Sequence, residues 1–312
     1  MDKNSKIYVA GHKGMVGSSV IRCLRENGFR NLVFRTSKEL DLTRQMDVGE
    51  FFRDERPEYV FLAAARVGGI MANAAYRAEF IYTNLQIQNN VIHTAWRVGV
   101  KKLLFFSSSC AYPCLSPQPM KEEYLWTGPA EPTNEPYAVA KLAGMSMCQA
   151  YNDQYGANFI SVIPTNLYGP NDNYDPEQSH VMAALIQKFH TAKMDGKKQV
   201  TLWGRGSPRR ELMCVDDAAD ASLFLMQNYN SNEPVNIGVG EDLTIRELAE
   251  RVKQVVGFEG EIAFDTSRPD GALQKLLDIS RLREMGWKAQ TPLIEGVAKA
   301  YEWYLQSLPR VR

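Results

Sequence analysis

Apolar residues along this chain fall into short continuous runs separated by stretches of helical spacing. Residues 7–10, 32–34, 59–65, 103–106 and 159–163 form such runs. Each predicts a strand buried on both faces. Between the first two, Val16, Val20, Cys23 and Leu24 share one helical face, and Gly28 is placed to end that helix. Thr43 is in position to cap a helix running through Phe51, Phe52 and Glu55 and stopping before Pro57. Ile81, Leu85, Gln88, Ile92 and Trp96 give a helical period over 76–97, and another helix begins near Tyr137. Strand–helix alternation of this kind predicts an α/β fold, a doubly wound parallel Rossmann-type sheet.

Beyond residue 165 the texture changes. Residues 166–178 are rich in Asn, Asp, Gly and Pro and predict a long loop. Loops of that length in compact proteins often carry function. Later elements are shorter and mixed. Thr244 and Glu247 match a capping box before a helix to Val256. Thr291 and Pro292 open a last helix to Leu308, with Pro at the first helical position. The expected division is a cofactor domain at 1–165 and a smaller, mixed α/β substrate domain at 166–312. The apolar helix at 215–227 belongs to a segment, near 212–240, expected to return to the first sheet.

Composition narrows the class. The 312 residues suffice for one large or two ordinary domains. The 36 basic and 36 acidic residues cancel, which argues against a nucleic-acid binder and against an acidic disordered chain. Cys23, Cys110, Cys114, Cys148 and Cys214 contain no CxxC and no zinc-finger spacing. No disulfide scaffold and no metal site is expected, and a reducing, cytoplasmic setting fits. No apolar run approaches the ~20 residues of a membrane span, and the N-terminal run is too short for a signal peptide.

Candidate chemistry begins at the first strand end. Gly11-His12-Lys13-Gly14-Met15-Val16-Gly17 is a GxxGxxG lying between a strand and a helix. Such a turn brings backbone N–H groups to a pyrophosphate at the helix N-terminus. Where an NAD-binding chain would end its second strand with an acid, this one reads Arg35-Thr36-Ser37-Lys38. Arg35 and Lys38, with Lys13, suit the extra phosphate of NADP(H). Ordinary solvated charge is the competing reading of Arg35 and Lys38.

Tyr137-Ala138-Val139-Ala140-Lys141 is a YxxxK, which places the phenol and the amine on one helix face. A nearby ammonium lowers a phenol's pKa toward the working range. Ser107-Ser108-Ser109-Cys110 closes the fourth strand, at the edge that faces the ligand crevice. A serine there can hold the substrate oxygen that Tyr137 protonates.

Together these parts resemble the extended, sugar-nucleotide-modifying branch of the short-chain dehydrogenase/reductase superfamily. The resemblance covers nearly the whole chain. Further segments tighten it: residues 67–70, 108–113, 131–138, 164–170, 179–181 and 210–217. Taken in order, the set is similar to the family of GDP-4-keto-6-deoxy-D-mannose 3,5-epimerase–4-reductases. That resemblance implies a soluble homodimer acting on GDP-4-keto-6-deoxy-D-mannose, with no nucleic-acid or membrane partner. It implies Tyr137, Lys141 and Ser108 as reductase residues, Cys110 as the epimerisation base and His180 as the acid. It places Gly11 to Gly17 (with His12, Lys13, Gly14, Met15 and Val16) at the pyrophosphate. Ser37, Lys38, Asp41 and Leu42 then lie near the adenosine. Lys141, Pro164, Thr165, Asn166, Leu167 and His180 lie near the nicotinamide half. Lys188, Trp203, Arg210, Asp270 and Lys275 are implied for the substrate. The family often has arginine where this chain has Lys13 and Ser37, and Lys lacks the bidentate fork of Arg on phosphate. Another extended nucleotide-sugar epimerase or 4-reductase is the nearest alternative. A non-catalytic NADP-sensing protein on the same fold is another, although such proteins tend to lose the Tyr or Lys kept here.

Overall fold

The structure is a computed structural model describing residues 1–175, 179–267 and 272–308. Strand β1 (Ile7–Ala10) is buried throughout and pairs in parallel with β2 (Leu32–Val33) on one side and β3 (Tyr59–Leu62) on the other. Strands β4 (Lys102–Phe106) and β5 (Phe159–Pro164) continue outward from β3. The strand Val235–Ile237 adds in parallel to β5 at the edge of this sheet. Chain direction across the sheet reverses at β1. A ligand crevice therefore opens beyond the carboxyl ends of β1 and β3.

Helices cover both faces. On one face α1 (Met15–Glu26) packs Val20, Ile21 and Leu24 against Ala218, Ala221 and Leu225 of the helix Val215–Asn228. On the other, α2 (Gln45–Glu55), α4 (Arg77–Arg97) and α5 (Glu135–Tyr155) contribute Phe52, Val91, Ile92, Leu142 and Met145. Between them, α3 (Ile70–Ala75) is a short helix that the apolar pattern did not predict. Double coverage explains why the strands read as unbroken apolar runs.

A third apolar cluster holds the later elements together. Leu185, Ile186 and Phe189 of α6 (Val181–Met194) meet Leu248, Val252 and Val256, and also Val297 and Tyr304 of the last helix. The capping box is present: Thr244 Oγ1 accepts from the Glu247 N–H at 3.1 Å, and Glu247 Oε2 accepts from the Thr244 N–H at 2.7 Å.

A buried carboxylate ties these elements to the sheet. Glu211 Oε1 accepts from the N–H groups of Val239 and Gly240 at 2.7 Å, and Oε2 from Leu277 at 2.9 Å. Burial raises its pKa, opposed by those donors. Its backbone oxygen accepts from Thr165 and Asn166. One residue thus knots the ends of three segments.

Four local expectations change. Residues 166–168 form strand β6 (Asn166–Tyr168), paired with Leu212–Cys214, rather than loop. Its partner is remote in sequence, so no local pattern announces it. The predicted strand at 59–65 ends at Leu62. Thr43 does not cap α2; its N–H and Oγ1 both donate to Asp41 Oδ1, at 3.0 and 2.7 Å, and Arg44 is the N-cap. Pro292, predicted at the first helical position, is instead the N-cap of the last helix, Leu293–Ser307. Among the described residues, no helix is long and apolar enough to cross a membrane.

Candidate active site

The glycine turn leads straight out of β1. Gly11 sits at φ +83°, and a Cβ there would lie 2.7 Å from the Ala64 nitrogen. A Cβ on Gly17 would lie 2.2 Å from the Gly11 carbonyl oxygen. Both glycines are therefore demanded by backbone approach. Gly14 differs: it is the N-cap of α1, and a Cβ there would meet only Gly11 O, at 3.5 Å. The Gly14 N–H donates to Gly11 O at 3.0 Å. No side chain caps α1 and no acid lies in its first turn. The N–H groups at Met15, Val16 and Gly17 are thus offered, at the positive end of the helix, to an anion. A pyrophosphate-bearing cofactor fits this cradle.

Beside it, His12 stacks on Phe34 with ring centres 4.8 Å apart. Burial, and then Lys13, hold its pKa below the usual imidazole value. Arg35 is committed elsewhere: Nη2 donates to Glu55 Oε1 at 2.6 Å and the guanidinium lies over Phe51. Lys13, Ser37 and Lys38 are exposed around the turn. Glu39 accepts from Thr36 N–H and Oγ1 and fixes the turn's shape. Asp41 is held below the usual carboxylate range by its Thr43 hydrogen bonds. The Leu42 carbonyl accepts from Asn90.

The catalytic candidates meet where β4 ends and α5 begins. Gly144 lets α5 lie directly on the sheet, since a Cβ there would be 2.3 Å from the Phe105 ring. That seating aims Lys141 back at the strand. Lys141 is 4% exposed and its Nζ donates to the Phe106 carbonyl at 2.7 Å. Burial lowers its pKa to about 7. Its Nζ is 5.7 Å from the Tyr137 ring centre. Tyr137 faces the Ser108 side chain, which favours its ionised form, and packs edge-on to Phe80. Its pKa is raised, chiefly by burial and then by Cys110, with the Ser108 side chain opposing. Sequence spacing predicts a lowered value, and the structure reverses it. The Lys141 ammonium is spent on a carbonyl and is itself destabilised, so desolvation of the phenol wins. Tyr137 is a phenol here, ready to donate.

Ser108 is extended and its Oγ accepts from the Cys110 N–H at 3.2 Å, capping the turn Ser109–Ala111. The preceding Ser107 Oγ is buried with no hydrogen-bond partner among the described residues. Cys110 Sγ accepts from Asn134 Nδ2 at 3.3 Å. Cys110 also lines a narrow cavity of about 20 Å³ with Cys114, Glu131, Gln274 and Lys275.

His180 is the N-cap of α6 and makes no side-chain cap. The residue is exposed, and partial desolvation by the surrounding protein lowers its pKa. Among the described residues no hydrogen bond or ring contact joins it to Tyr137 or Cys110. Pro164 ends β5, Thr165 N–H donates to Ile237 O at 2.9 Å, Asn166 Nδ2 donates to Glu211 O at 2.9 Å, and Leu167 packs on the first core.

Arg210 and Lys275 are register partners on parallel strands, so they share one sheet face. Arg210 is half-buried, donates to the Arg209 and Ala272 carbonyls, and has its pKa lowered by burial. The Lys188 ammonium lies 5.7 Å from the centre of the Trp203 ring, which is 60% exposed. Lys188 also lines an open groove of about 440 Å³ with Gln187, Thr191, Lys197 and Thr201. That groove contains no catalytic candidate. Asp270 lies outside the described residues. The residues that sequence reasoning missed are Asn134 and Glu211. Neither has a local signal beyond being polar next to a motif.

Comparison with known proteins agrees with this geometry. Residues 7–238 match the NAD dependent epimerase/dehydratase family. GDP-L-fucose synthase 1 of Arabidopsis thaliana is 57% identical over 98% of this chain and 95% of its own length. The GDP-L-fucose synthase of Escherichia coli K12 is 48% identical, covering 98% of each chain. A GDP-L-fucose synthetase from Naegleria fowleri, solved bound to NADP, superposes with a TM-score of 0.92 at 30% identity, covering 98% of this chain and 95% of that one. A glycine cradle without acid, a Ser–Tyr pair over a buried lysine, and near-full-length likeness to these proteins lead to one assignment: the chain belongs to the NAD dependent epimerase/dehydratase family, among its GDP-L-fucose synthases.

Proposed function

We propose that this chain is a bifunctional enzyme, a 3,5-epimerase and NADPH-dependent 4-reductase that converts GDP-4-keto-6-deoxy-D-mannose to GDP-L-fucose. The observation that carries the reading is the meeting of Ser108, Tyr137 and Cys110 at one strand end. A 4-reductase alone needs the first two; a thiol beside them supplies a second chemistry.

A ketone at carbon 4 acidifies the protons on carbons 3 and 5, because the resulting enolate places charge on oxygen. Tyr137 and Ser108 donate hydrogen bonds to that oxygen and stabilise the charge. At each of carbons 3 and 5 the Cys110 thiolate removes the proton and the His180 imidazolium returns one on the opposite face of the ring, and exchange with solvent restores both groups. A lowered imidazole pKa makes His180 a stronger acid once charged. NADP(H), when bound at Gly11 to Gly17, supplies the hydride for carbon 4. Tyr137 then gives the oxygen its proton, which its raised pKa keeps in place until the hydride arrives. Lys141 orients the nicotinamide ribose, and Lys13 and Lys38 serve the 2′-phosphate end. Arg210 and Lys275 take the diphosphate, and Lys188 with Trp203 takes the nucleoside end.

In this scheme residues 1–165, with the return at 212–240, serve the cofactor, and 166–312 serve the substrate. The chain works as a homodimer; exposed Tyr82 on α4 and Val139 and Tyr155 on α5 support an apolar contact there. Five free cysteines favour the cytoplasm.

The test follows NADPH absorbance with freshly made GDP-4-keto-6-deoxy-D-mannose and identifies the product sugar by NMR. GDP-L-fucose is the expected product from the wild type. Cys110→Ser should release an unepimerised reduced sugar. A wild-type product that is itself unepimerised would remove Cys110 and His180 from the mechanism.

A further inference from the structure

We propose that Asn134 is a positioning residue for the Cys110 sulfur, donating a hydrogen bond that favours its thiolate. The inference rests on Cys110 being the epimerisation base.

Asn134 stands at the N-cap of a 21-residue helix. An Asn in that place ordinarily turns its Oδ1 onto the N–H of the second or third helical residue. Here the second is Pro136, which has no N–H, and Asn134 makes no side-chain cap at all. Its Oδ1 is buried and has no partner among the described residues. A buried, unsatisfied amide oxygen is a standing cost. The other end of the amide shows what is gained: Nδ2 donates to Cys110 Sγ at 3.3 Å.

A thiol sulfur is a weak acceptor, whereas a thiolate is an anion. A fixed N–H donor therefore stabilises the charged form selectively. The position compounds the effect, since the sulfur sits at the positive end of α5. The groups facing the sulfur pull both ways. Lys275, across the shared cavity, favours the anion. Glu131 lines the same cavity, and Cys110 and Tyr137 each discourage the other's negative charge. Glu135, in the first turn of α5, is ion-paired with Arg77 at 2.8 Å. Cys114 lines the cavity as a second thiol. A dedicated donor offsets the acidic neighbours without adding a charge that would also perturb Tyr137.

The experiment uses the full chain without substrate. Alkylation of Cys110 by iodoacetamide is followed by peptide mass spectrometry at about pH 7 and about pH 9.5, in wild type, Asn134→Ala and Asn134→Asp. Loss of a hydrogen bond to a charged group predicts alkylation roughly tenfold slower in Asn134→Ala at the lower pH. The rates should converge at the higher pH, which lies above the ~8.5 of an ordinary thiol. Asn134→Asp separates the two possible roles. Aspartate caps a helix as well as asparagine, but it sets a carboxylate against the sulfur. It should keep the wild-type melting temperature and alkylate more slowly than Asn134→Ala. If Asn134 only caps α5, Asn134→Asp reacts at the wild-type rate and Asn134→Ala loses melting temperature alone; either result overturns the proposal. Solvent deuterium uptake at carbons 3 and 5 of the keto sugar should fall in step, with no further loss when Asn134→Ala is added to Cys110→Ser. Equal uptake by wild type and Cys110→Ser would sink the base role on which the proposal rests, whatever the alkylation rates.

Discussion

The three glycines of the cofactor turn do different work, and alanine substitution should separate them. A Cβ on Gly17 would stand 2.2 Å from the Gly11 carbonyl oxygen, 2.6 Å from its carbon and 2.9 Å from the His12 Cα. All three are backbone atoms of the turn itself. Relief requires the turn to move by roughly 1 Å, and overpacking of that kind costs ~1–3 kcal/mol, with the upper end expected when no side chain can swing aside. For a chain this large, ~3 kcal/mol corresponds to a melting point lower by about 5 °C. The same movement withdraws the α1 N–H groups from the pyrophosphate. Gly17→Ala should therefore lose stability and NADPH affinity together. Gly14→Ala should behave otherwise. Gly14 has φ −76°, and its added Cβ meets only Gly11 O, at 3.5 Å. Its melting point should stay near wild type, while the methyl intrudes on the space through which phosphate approaches the helix end. Calorimetric unfolding and NADPH fluorescence titration of both variants decide the matter. A Gly17→Ala protein with wild-type melting point and wild-type affinity would refute the close-approach argument.

Two further perturbations test the site and its surroundings. Tyr137→Phe keeps the edge-on packing against Phe80 and deletes only the hydroxyl that meets Ser108; 4-reduction should fall by about 10²–10⁴, the scale of general acid catalysis, with NADPH affinity intact. An unchanged turnover would take Tyr137 out of the mechanism. Asp172 is buried, and burial raises its pKa to about 7, against ~3.9 in an unfolded chain. Because the folded value is the higher, its contribution is fully present below about pH 4 and is lost as pH rises toward 7, by at most ~4 kcal/mol. Asp172→Asn keeps an acceptor for the Asn173 N–H and should raise the melting point above about pH 7 while giving no advantage near pH 4. A difference independent of pH would show that Asp172 is not the titrating group.

Much of this architecture is written in local patterns. Strands buried on both faces need continuous apolar runs, so β1, β3, β4 and β5 are visible as such. The glycine turn and the YxxxK are equally legible, because a tight turn and a single helix face are set by residues a few positions apart. Strand β6 was hidden by its turn-like composition and by a distant partner. Arg35 looked free to meet a phosphate, but Glu55, twenty residues on, holds it. Asn134 could be seen beside the YxxxK, yet nothing local says that its amide faces the Cys110 sulfur rather than its own helix.

The sequence by itself therefore determined the doubly wound sheet, the cofactor turn and the chemical types of the candidate residues, since periodicity and spacing act over one or two turns of chain. Only the tertiary structure decided which of those groups meet and in what state. Seating α5 on Phe105 buries Lys141 beside Tyr137, and burial sets both proton affinities, that of Tyr137 against the direction that spacing alone predicts. Desolvation and long-range hydrogen bonds depend on everything packed around a group. That surrounding belongs to the fold, and no short stretch of chain contains it.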